Sequence, residues 1–410
     1  MEAVRAAFLP DTFHEVNGVA HTARQFEAFA RRRQLPFLSV HCGPACELTQ
    51  DGSVTVMQLK RGRASFALDA NLDCDPLLMR YASRVMAEVK RFGADLIHIT
   101  GPGDLGMLGC YVAWRLRLPL VISWHTSFHE YAARRLESVL SFLGRNLSRR
   151  FAAAVEHLAF RYLAWFYRRA AVTLAPNHEA ISMLREITGR PVFLMRRGVD
   201  RQLFSPARRH RISDSFRIGY VGRLTAEKNV RFLGELAKVL RVLGRSNFEL
   251  VIVGEGREES WLRKNIPEAI FTGVLRGQRL AEVYANLDLF VFPSTTDTFG
   301  NVVLEALSSG VPVIVRDEGG PKFLVGHGVT GFIAATDWDA ISFANQVMTD
   351  PKLHRQMRDA ARRYACSQSW DNAFEQVLDA YSYCGLAVEK KWLADTPPLL
   401  SSRLHERDRS

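Results

Sequence analysis

Short apolar segments alternate with longer segments of helical periodicity along most of this chain, and the alternation occurs twice. The apolar segments of the first half lie at 4–9, 36–41, 95–100, 119–124, 172–175 and 192–195. Those of the second half lie at 216–221, 249–253, 269–272, 288–292 and 311–315. Between them, segments such as 19–33 and 76–92 carry apolar residues at the spacing of amphipathic helices. Strands that alternate with helices predict two parallel α/β sheets.

A polar break that contains a proline separates the two halves at 205–214. We therefore predict two Rossmann-like domains that face each other across a cleft, an N-terminal one over residues 1–205 and a C-terminal one over 212–366. Ligands of such sheets bind where the loops gather, at the carboxyl ends of the strands. We expect the tail at 390–410, which contains two consecutive prolines, to be disordered.

Composition adds three expectations. The 410 residues are 47% hydrophobic, which is enough for two substantial cores. The net charge of +11 favours an anionic partner, whether a nucleotide diphosphate, an acidic lipid surface or a nucleic acid. The six cysteines show neither metal-finger spacing nor the density of a disulfide framework, and we find no signal peptide or long uncharged apolar run. We therefore expect a protein of the reducing cytoplasm.

The segment 294–310 carries the most chemistry, because two carboxylates flank a turn between a buried strand and a helix. Asp297 is expected on the loop, and Glu305 further along the helix that begins near Gly300. The free N–H groups of Phe299, Gly300 and Asn301 at the helix start suit oxygen-rich or anionic groups. This arrangement predicts a sugar-nucleotide site.

A second motif lies at 220–230, where a strand is followed by Gly222, Arg223 and Lys228. The glycine lets the backbone approach a ligand closely. Two cations at a helix start are poor caps, since the helix dipole already places positive potential there. Their position predicts that an anion occupies this loop.

Together these motifs resemble the signature of the retaining family-4 glycosyltransferases, in which an acid is followed by Glu eight positions later. Most members have Glu first; Asp297 resembles the branch that holds bacterial α-mannosyltransferases and sulfoquinovosyltransferases. The resemblance extends from Phe8 to about Tyr381 and implies the GT-B fold with a nucleotide diphosphate sugar, GDP- or UDP-linked, as donor. It implies that Arg223 and Lys228 bind the diphosphate and stabilise the departing nucleotide. It also implies that helix 369–385 crosses back onto the first domain.

The resemblance extends to two loops of the first half. Asn17 and Gly18 stand where the family has an Asn-Gly-Val loop, so Gly18 is expected to offer its amide to a phosphate. An Asn-Gly pair after a strand is otherwise an ordinary turn. His125 matches a functional histidine of the family, with a structural histidine as the alternative. Many relatives have Glu where this chain has Phe323, which leaves no carboxylate there for the donor.

We expect no metal and no cofactor beyond the donor substrate. Asp73 and Asp75 have the spacing of a metal-binding Asp-x-Asp motif, but they precede Pro76 at a helix start, where acids serve as caps. Retention without an evident protein nucleophile, as the resemblance implies, favours front-face attack assisted by the leaving phosphate.

The segment 131–171 repeats apolar residues at helical spacing opposite arginines, with aromatic residues near its end. Such a helix can lie on an anionic bilayer, or its apolar stripe can pack on the first sheet while the arginines face water. Both interpretations remain open from the sequence.

The function that these patterns favour is transfer of a hexosyl group, with mannosyl as the first choice, to a lipid or glycan hydroxyl by a protein that is cytoplasmic or peripheral at the membrane. Asp297 would hold hydroxyls of the donor sugar and Glu305 the nucleotide ribose. The alternatives are a nucleotide-sugar epimerase or phosphorylase of the same architecture, and a basic protein that binds nucleic acid. The sequence does not identify the base, the sugar, the acceptor or the oligomeric state.

Overall fold

The computed structural model describes residues 3–15, 17–69, 72–125, 157–158, 160–210 and 214–395. These residues form two compact units. The first unit contains the described residues up to His125, those from 157 to Arg196, and those from Phe374 onward. The second unit contains Arg197–Ala373. The boundary lies near Arg197, eight residues before the end of the predicted N-terminal domain at 205.

The first unit is built on an eight-stranded sheet with the order β10-β9-β8-β7-β1-β2-β4-β3. All pairs are parallel except β3 with β4. The strands of this sheet are β1 (Ala6–Leu9), β2 (Phe37–Gly43), β3 (Leu48–Asp51), β4 (Val54–Lys60), β7 (Leu96–Ile99), β8 (Leu120–Ser123), β9 (Val172–Ala175) and β10 (Val192–Leu194). Strands β5 (Phe66–Asp69) and β6 (Leu72–Cys74) pair in a separate antiparallel sheet of two strands. The helices are α1 (Gly18–Arg32), α2 (Ala82–Phe92), α3 (Asp104–Leu116) and α4 (His178–Thr188).

The second unit is built on a six-stranded sheet with the order β13-β12-β11-β14-β15-β16, in which every pair is parallel. The strands are β11 (Phe216–Val221), β12 (Phe248–Val253), β13 (Ile270–Gly273), β14 (Leu289–Phe292), β15 (Val313–Arg316) and β16 (Gly331–Ala334). The helices are α5 (Phe232–Val242), α6 (Glu259–Asn265), α7 (Gly277–Ala285), α8 (Asn301–Ser308), α9 (Asp337–Thr349) and α10 (Pro351–Cys366), followed by α11 (Trp370–Asp395). The prediction of two parallel-sheet α/β domains is confirmed.

The central strands are apolar on both faces because helices cover both sides of a parallel sheet. All four residues of β14 are buried, and so are those of β1, β7 and β8. Helix α1 has the predicted one-sided pattern, with Phe26, Phe29 and Ala30 buried. This packing fixes the carboxyl ends of the strands, and therefore the starting points of the loops that carry the candidate chemistry.

Helix α11 begins in the second unit, and from Phe374 onward it belongs to the first. There the ring of Phe374 stacks on Phe26 at 4.6 Å between centroids. The hydroxyl of Tyr381 lies 2.6 Å from Nδ1 of His98, whose Nε2 lies 2.5 Å from the Ser123 hydroxyl. Both Tyr381 and His98 are buried, so the helix is joined to β7 and β8 by a polar network inside the core.

The structure corrects two expectations. Helix α11 continues to Asp395, so the predicted disordered tail cannot begin at 390; the sequence there is rich in Ala, Glu, Lys and Leu, which favour helix. The remainder of that tail, 396–410, lies outside the described residues. Five of the described strands were not predicted: β3, β4, β5, β6 and β16. All four residues of β3 are exposed, and polar residues interrupt β4.

Candidate active site

The two predicted carboxylates lie on the loop between β14 and α8, which carries Asp297, and on α8 itself, which carries Glu305. Gly300 adopts a left-handed conformation with φ of 89°, which glycine tolerates without strain, and α8 begins at the next residue. The side chain of Phe299 is buried, with 4% of its surface exposed. Asp297 therefore lies on a loop whose path is held by the buried ring and the glycine turn that follow it.

The loop after β11 meets the carboxylate of Asp297. Nζ of Lys228 lies 2.8 Å from Oδ1 and 2.7 Å from Oδ2 of Asp297. The two loops are also joined by the hydroxyl of Thr296, which donates to the carbonyl oxygen of Glu227 at 3.4 Å. An ammonium group suits phosphate oxygens and a carboxylate suits sugar hydroxyls, so the pair presents both kinds of partner that a sugar diphosphate requires.

Arg223 lies on the same loop but is more exposed, with 44% of its side chain accessible. Its Nη2 is 3.6 Å from a carboxylate oxygen of Glu227, a weak surface pair. The backbone of the loop is held from below, since the buried hydroxyl of Tyr220 donates to the carbonyl of Arg223 at 2.9 Å. The guanidinium is thus an exposed cation on a loop whose backbone is held in place.

A third loop, which begins after β15, closes around the acid loop. The N–H of Gly320 donates to the carbonyl of Asp297 at 2.6 Å. A Cβ on Gly320 would lie 1.8 Å from the carbonyl oxygen of Thr298 and 2.6 Å from the nitrogen of Phe299. Only glycine permits this approach. Because Gly320 flanks the nitrogen of Phe299, that amide is less open to a ligand than the sequence suggested.

Glu305 lies in the second turn of α8 and is partly buried. Burial of its carboxyl raises the pKa of Glu305 to about 7. The hydroxyl of Tyr284 lies beside it and opposes this shift, although within the described chain no acceptor meets regular hydrogen-bond geometry to that hydroxyl. A buried carboxyl beside an incompletely satisfied hydroxyl is suited to a ligand that brings hydrogen-bond donors, such as a ribose.

Arg197 is a further residue of this region that sequence analysis did not assign to the site. It is 93% buried, and its Nη1 donates to Oδ1 of Asn301 at 3.3 Å. The guanidinium carbon lies 5.4 Å from the centroid of the Phe299 ring. Burial lowers the pKa of Arg197 to about 10, and the charge of Asp297 opposes this effect. Arg197 therefore holds the start of α8 and adds a buried positive charge beside the acid loop.

A sequence signal for Arg197 did exist. It directly precedes Gly198-Val199-Asp200, a turn in which the backbone nitrogen of Trp370 would lie 2.1 Å from a Cβ at Gly198. The carboxylate of Asp200 closes the turn by accepting hydrogen bonds from the backbone N–H groups of Gln202 and Leu203. Because the chain packs so closely here, the side chain of Arg197 is buried. The sequence alone does not show this burial.

The candidates of the first half lie in the first unit. Asn17 caps α1, since its Oδ1 accepts from the amide of Ala20 at 2.8 Å and from the hydroxyl of Thr12 at 3.2 Å. Gly18 is the first residue of that helix. His125 follows β8 at the carboxyl edge of the sheet and is 92% buried. The side-chain oxygen of Asn17 therefore caps the helix. What this helix start can offer an anion is the backbone N–H groups of its first turn.

Asp75 of the Asp-x-Asp motif is held by hydrogen bonds within the protein. Asp75 is buried and accepts from the amides of Gly62 at 2.7 Å and Leu77 at 3.0 Å, and from Arg80 at 2.8 Å. Over the described residues no group of three His, Cys, Asp or Glu side chains could hold a metal ion. A shallow cavity of about 440 Å³ between β13 and α7 contains Arg217 and Ile270 but none of the predicted site residues.

Comparison with known proteins identifies the family of this chain. The profile described as Glycosyl transferases group 1 matches residues 205–364, and the profile of Glycosyltransferase Family 4 matches residues 59–203. A GDP-mannose-dependent alpha-mannosyltransferase of Corynebacterium glutamicum is 31% identical over 311 residues, which cover 73% of this chain and 70% of the relative. The chain belongs to glycosyltransferase family 4.

Two further matches concern the branch and the fold. The sulfoquinovosyl transferase SQD2 of Arabidopsis thaliana is 27% identical over 74% of this chain and 59% of its own length. The structure of sucrose-phosphate synthase from Thermosynechococcus elongatus superposes with a TM-score of 0.71 at 18% identity, over 93% of this chain and 100% of that one. The predicted GT-B fold and the predicted activity, glycosyl transfer from a nucleotide sugar, are confirmed. Among the functions left open by the sequence, glycosyl transfer is the one that these matches support.

Proposed function

We propose that this family-4 glycosyltransferase transfers a mannosyl group from GDP-mannose to a hydroxyl of a lipid or glycan, with retention of the anomeric configuration. The relatives named as GDP-mannose-dependent alpha-mannosyltransferases support the donor, at 31–33% identity over 73% of this chain. The observation that carries the proposal is the contact of Lys228 with both carboxylate oxygens of Asp297, at 2.7 and 2.8 Å. It joins a diphosphate-binding loop to a hydroxyl-binding loop within one small region.

The proposed roles follow from chemistry and position. Lys228 and Arg223 bind the diphosphate, Asp297 accepts hydrogen bonds from hydroxyls of the donor sugar, and Glu305 accepts them from the ribose. The first turn of α8, with Gly300 and Asn301, contributes backbone amides. Gly222, which adopts φ of 156° after β11, lets the backbone approach the nucleotide.

The first unit carries two further candidates, whose roles are proposed from their own surroundings. The amide of Gly18, at the start of α1, suits a phosphate oxygen, and Asn17 holds that turn in place. His125 is proposed to position a hydroxyl of the donor or the acceptor. We propose no metal and no cofactor: two cations and helix amides provide the stabilisation of the leaving diphosphate that a divalent ion provides in other transferases.

The proposed chemistry is front-face displacement. The bond between the anomeric carbon and the diphosphate breaks as Lys228 and Arg223 take up the developing negative charge. The acceptor hydroxyl attacks from the same face, and a phosphate oxygen of the leaving group accepts its proton. No protein nucleophile is required, in keeping with retention in this family.

The proposed setting is the cytoplasm, at the inner face of a membrane when the acceptor is a lipid. All six cysteines are free, which agrees with a reducing compartment. Among the helices that the structure describes, none is both long and apolar enough to cross a bilayer. Residues 131–156 of the predicted amphipathic segment 131–171 lie outside the described residues.

A donor panel tests the proposed function. Thermal unfolding of the full-length protein is recorded with GDP, UDP, GDP-mannose and several UDP-sugars, and donor hydrolysis is measured in parallel. A donor at 100 times its Kd stabilises the protein by about 2.7 kcal/mol by mass action. We expect GDP-mannose to raise the melting temperature and to be hydrolysed. The effect should vanish in Lys228→Ala, and a stronger effect of any UDP-sugar would overturn the proposed donor.

A further inference from the structure

The outer surface of the first unit carries an aromatic and basic patch that the transferase site does not explain. It is formed by α3, by the helical stretch 160–167 and by Leu158. The two helical stretches are neighbours, because the hydroxyl of Tyr162 lies 3.7 Å from the sulfur of Met107. We define the aromatic patch by its exposed apolar side chains. These are Trp114 (71% exposed), Leu158 (67%), Trp165 (50%), Tyr162 (41%) and Met107 (39%).

These helices are apolar on two sides, which is unusual for surface helices of a globular protein. Their inner sides are already satisfied: Leu108 and Val112 of α3, with Leu163 and Phe166 of the other stretch, are buried in the core. The opposite side of such a helix is normally polar. A second apolar side rimmed by charge indicates a surface that binds something.

The aromatic rings of the patch are ordered rather than scattered. Tyr162 and Trp165 stack with centroids 5.8 Å apart, and Tyr111 lies 6.0 Å from Trp114. Indole and phenol rings combine an apolar body with a polar edge, which suits the boundary between lipid headgroups and acyl chains.

Arginines surround these rings. Arg115, Arg117, Arg161, Arg168 and Arg169 are all exposed. The guanidinium carbon of Arg169 lies 3.3 Å from the centroid of Trp165, and that of Arg115 lies 5.8 Å from Trp114. The sequence of α3 and of 157–169 contains one acidic residue, Asp104, and its carboxylate pairs with Arg61. The patch is therefore strongly positive as well as apolar.

We propose that the aromatic patch docks the enzyme on an anionic bilayer, with the rings in the headgroup boundary and the arginines on lipid phosphates. Leu158 and Met107 favour lipid over nucleic acid, since aliphatic side chains gain nothing from stacking on bases but do gain from contact with acyl chains. The charge favours an acidic surface, because juxtamembrane arginines are attracted to anionic leaflets. The proposal rests on the membrane setting of the proposed function and deepens it by naming the docking surface, and it stands whether or not the acceptor is a lipid.

Vesicle co-sedimentation of the full-length protein tests this proposal without donor or acceptor. We expect binding to vesicles of phosphatidylcholine with 30% phosphatidylglycerol, and binding about tenfold or more weaker to phosphatidylcholine alone. The double variant Trp114→Ser/Trp165→Ser should lose about tenfold or more in binding to the anionic vesicles. The matched control is Trp338→Ser, which removes an equally exposed tryptophan (64%) from α9 of the second unit and should bind as wild type does.

A second variant separates docking from folding. Arg115→Gln/Arg117→Gln leaves the rings in place and should weaken binding to anionic vesicles while circular dichroism and donor hydrolysis stay unchanged. Wild-type binding by both double variants, or no binding of the wild type to anionic vesicles, would overturn the proposal. Patch-dependent, salt-sensitive binding to an oligonucleotide in the absence of vesicle binding would do the same and would assign the patch to nucleic acid.

Discussion

Replacement of Glu305 by glutamine should make the protein more stable and less active. Folding raises the pKa of this carboxyl from its ordinary 4.5 to about 7, because the folded protein buries it. Each factor of ten in proton affinity corresponds to about 1.36 kcal/mol, so the charged carboxylate costs up to about 3 kcal/mol. Glutamine has the same shape without the charge.

The sign of the pH dependence follows from proton linkage. Below pH 4.5 the carboxyl is protonated in the folded and unfolded chains, and Glu305→Gln should change little. Between pH 4.5 and about 7 the unfolded wild type releases this proton while the folded wild type retains it, so the stability of the wild type falls over this range and stays low above it. The stability of the variant has no such dependence. At pH 8 the variant should be more stable by up to about 3 kcal/mol, or roughly 6–12 °C in the melting temperature of a unit of this size.

The assay is thermal and urea unfolding of both proteins at pH 5 and pH 8, with donor turnover at pH 8. Turnover should fall at least about 100-fold, because the ribose loses a charged acceptor. Glu282→Gln, which changes an exposed carboxyl on α7, is the control and should leave both measurements as in the wild type. An equal stability difference at both pH values, or a variant that is less stable at pH 8, would refute the reasoning.

Changes at four further residues test the loops around the site. Lys228→Ala should reduce turnover by about 10²–10³-fold, since one charge-stabilising group is lost, while circular dichroism stays unchanged. Asp297→Asn should lower turnover far more than it lowers affinity for free GDP, whereas Asp297→Glu should retain part of the activity. Arg197→Lys keeps the charge but loses the planar fork, so we expect turnover to fall about tenfold with a smaller loss of stability. Gly320→Ala should lower the free energy of unfolding of the second unit by more than about 2 kcal/mol, and with it the melting temperature, because its Cβ would lie 1.8 Å from the carbonyl oxygen of Thr298.

The controls for these variants come from the same chain. Gly326→Ala is the match for Gly320→Ala, because the nearest atom to its Cβ would be 3.5 Å away and its φ is not positive. Arg276→Lys, on an exposed residue before α7, is the match for Arg197→Lys. Wild-type turnover in Lys228→Ala, or equal turnover and affinity losses in Asp297→Asn, would contradict the assigned roles.

Most of the central strands could be predicted from the sequence. A parallel strand covered by helices on both faces is a continuous apolar run, and β9 and β11 were predicted at their observed bounds for this reason. The polar edge strand β3 has no such run, and β16 contains only four residues that follow a glycine turn. Edge strands are stabilised by their neighbours, so their own residues indicate little.

The candidate site was predicted in part. Asp297, Glu305, Arg223 and Lys228 were identified because charged residues beside glycine turns at strand ends have few structural explanations. Arg197 was not assigned, because its importance depends on burial by Phe299 and Asn301, more than 100 positions along the chain. The sequence also suggested an open amide at Phe299, where the approach of Gly320 restricts access.

The sequence by itself determined the order of the elements and the residues on the loops. It indicated two series of alternating strands and helices, glycines where chains approach closely, and cations and acids at the strand ends. These follow from neighbouring residues, since periodicity and backbone conformation are local properties. Only the tertiary structure decided that Lys228 lies between both oxygens of Asp297, that Glu305 is buried enough to shift its pKa, and that two separate helices form one aromatic patch. Distance, burial and electrostatics depend on segments far apart in the chain, and packing alone brings those together.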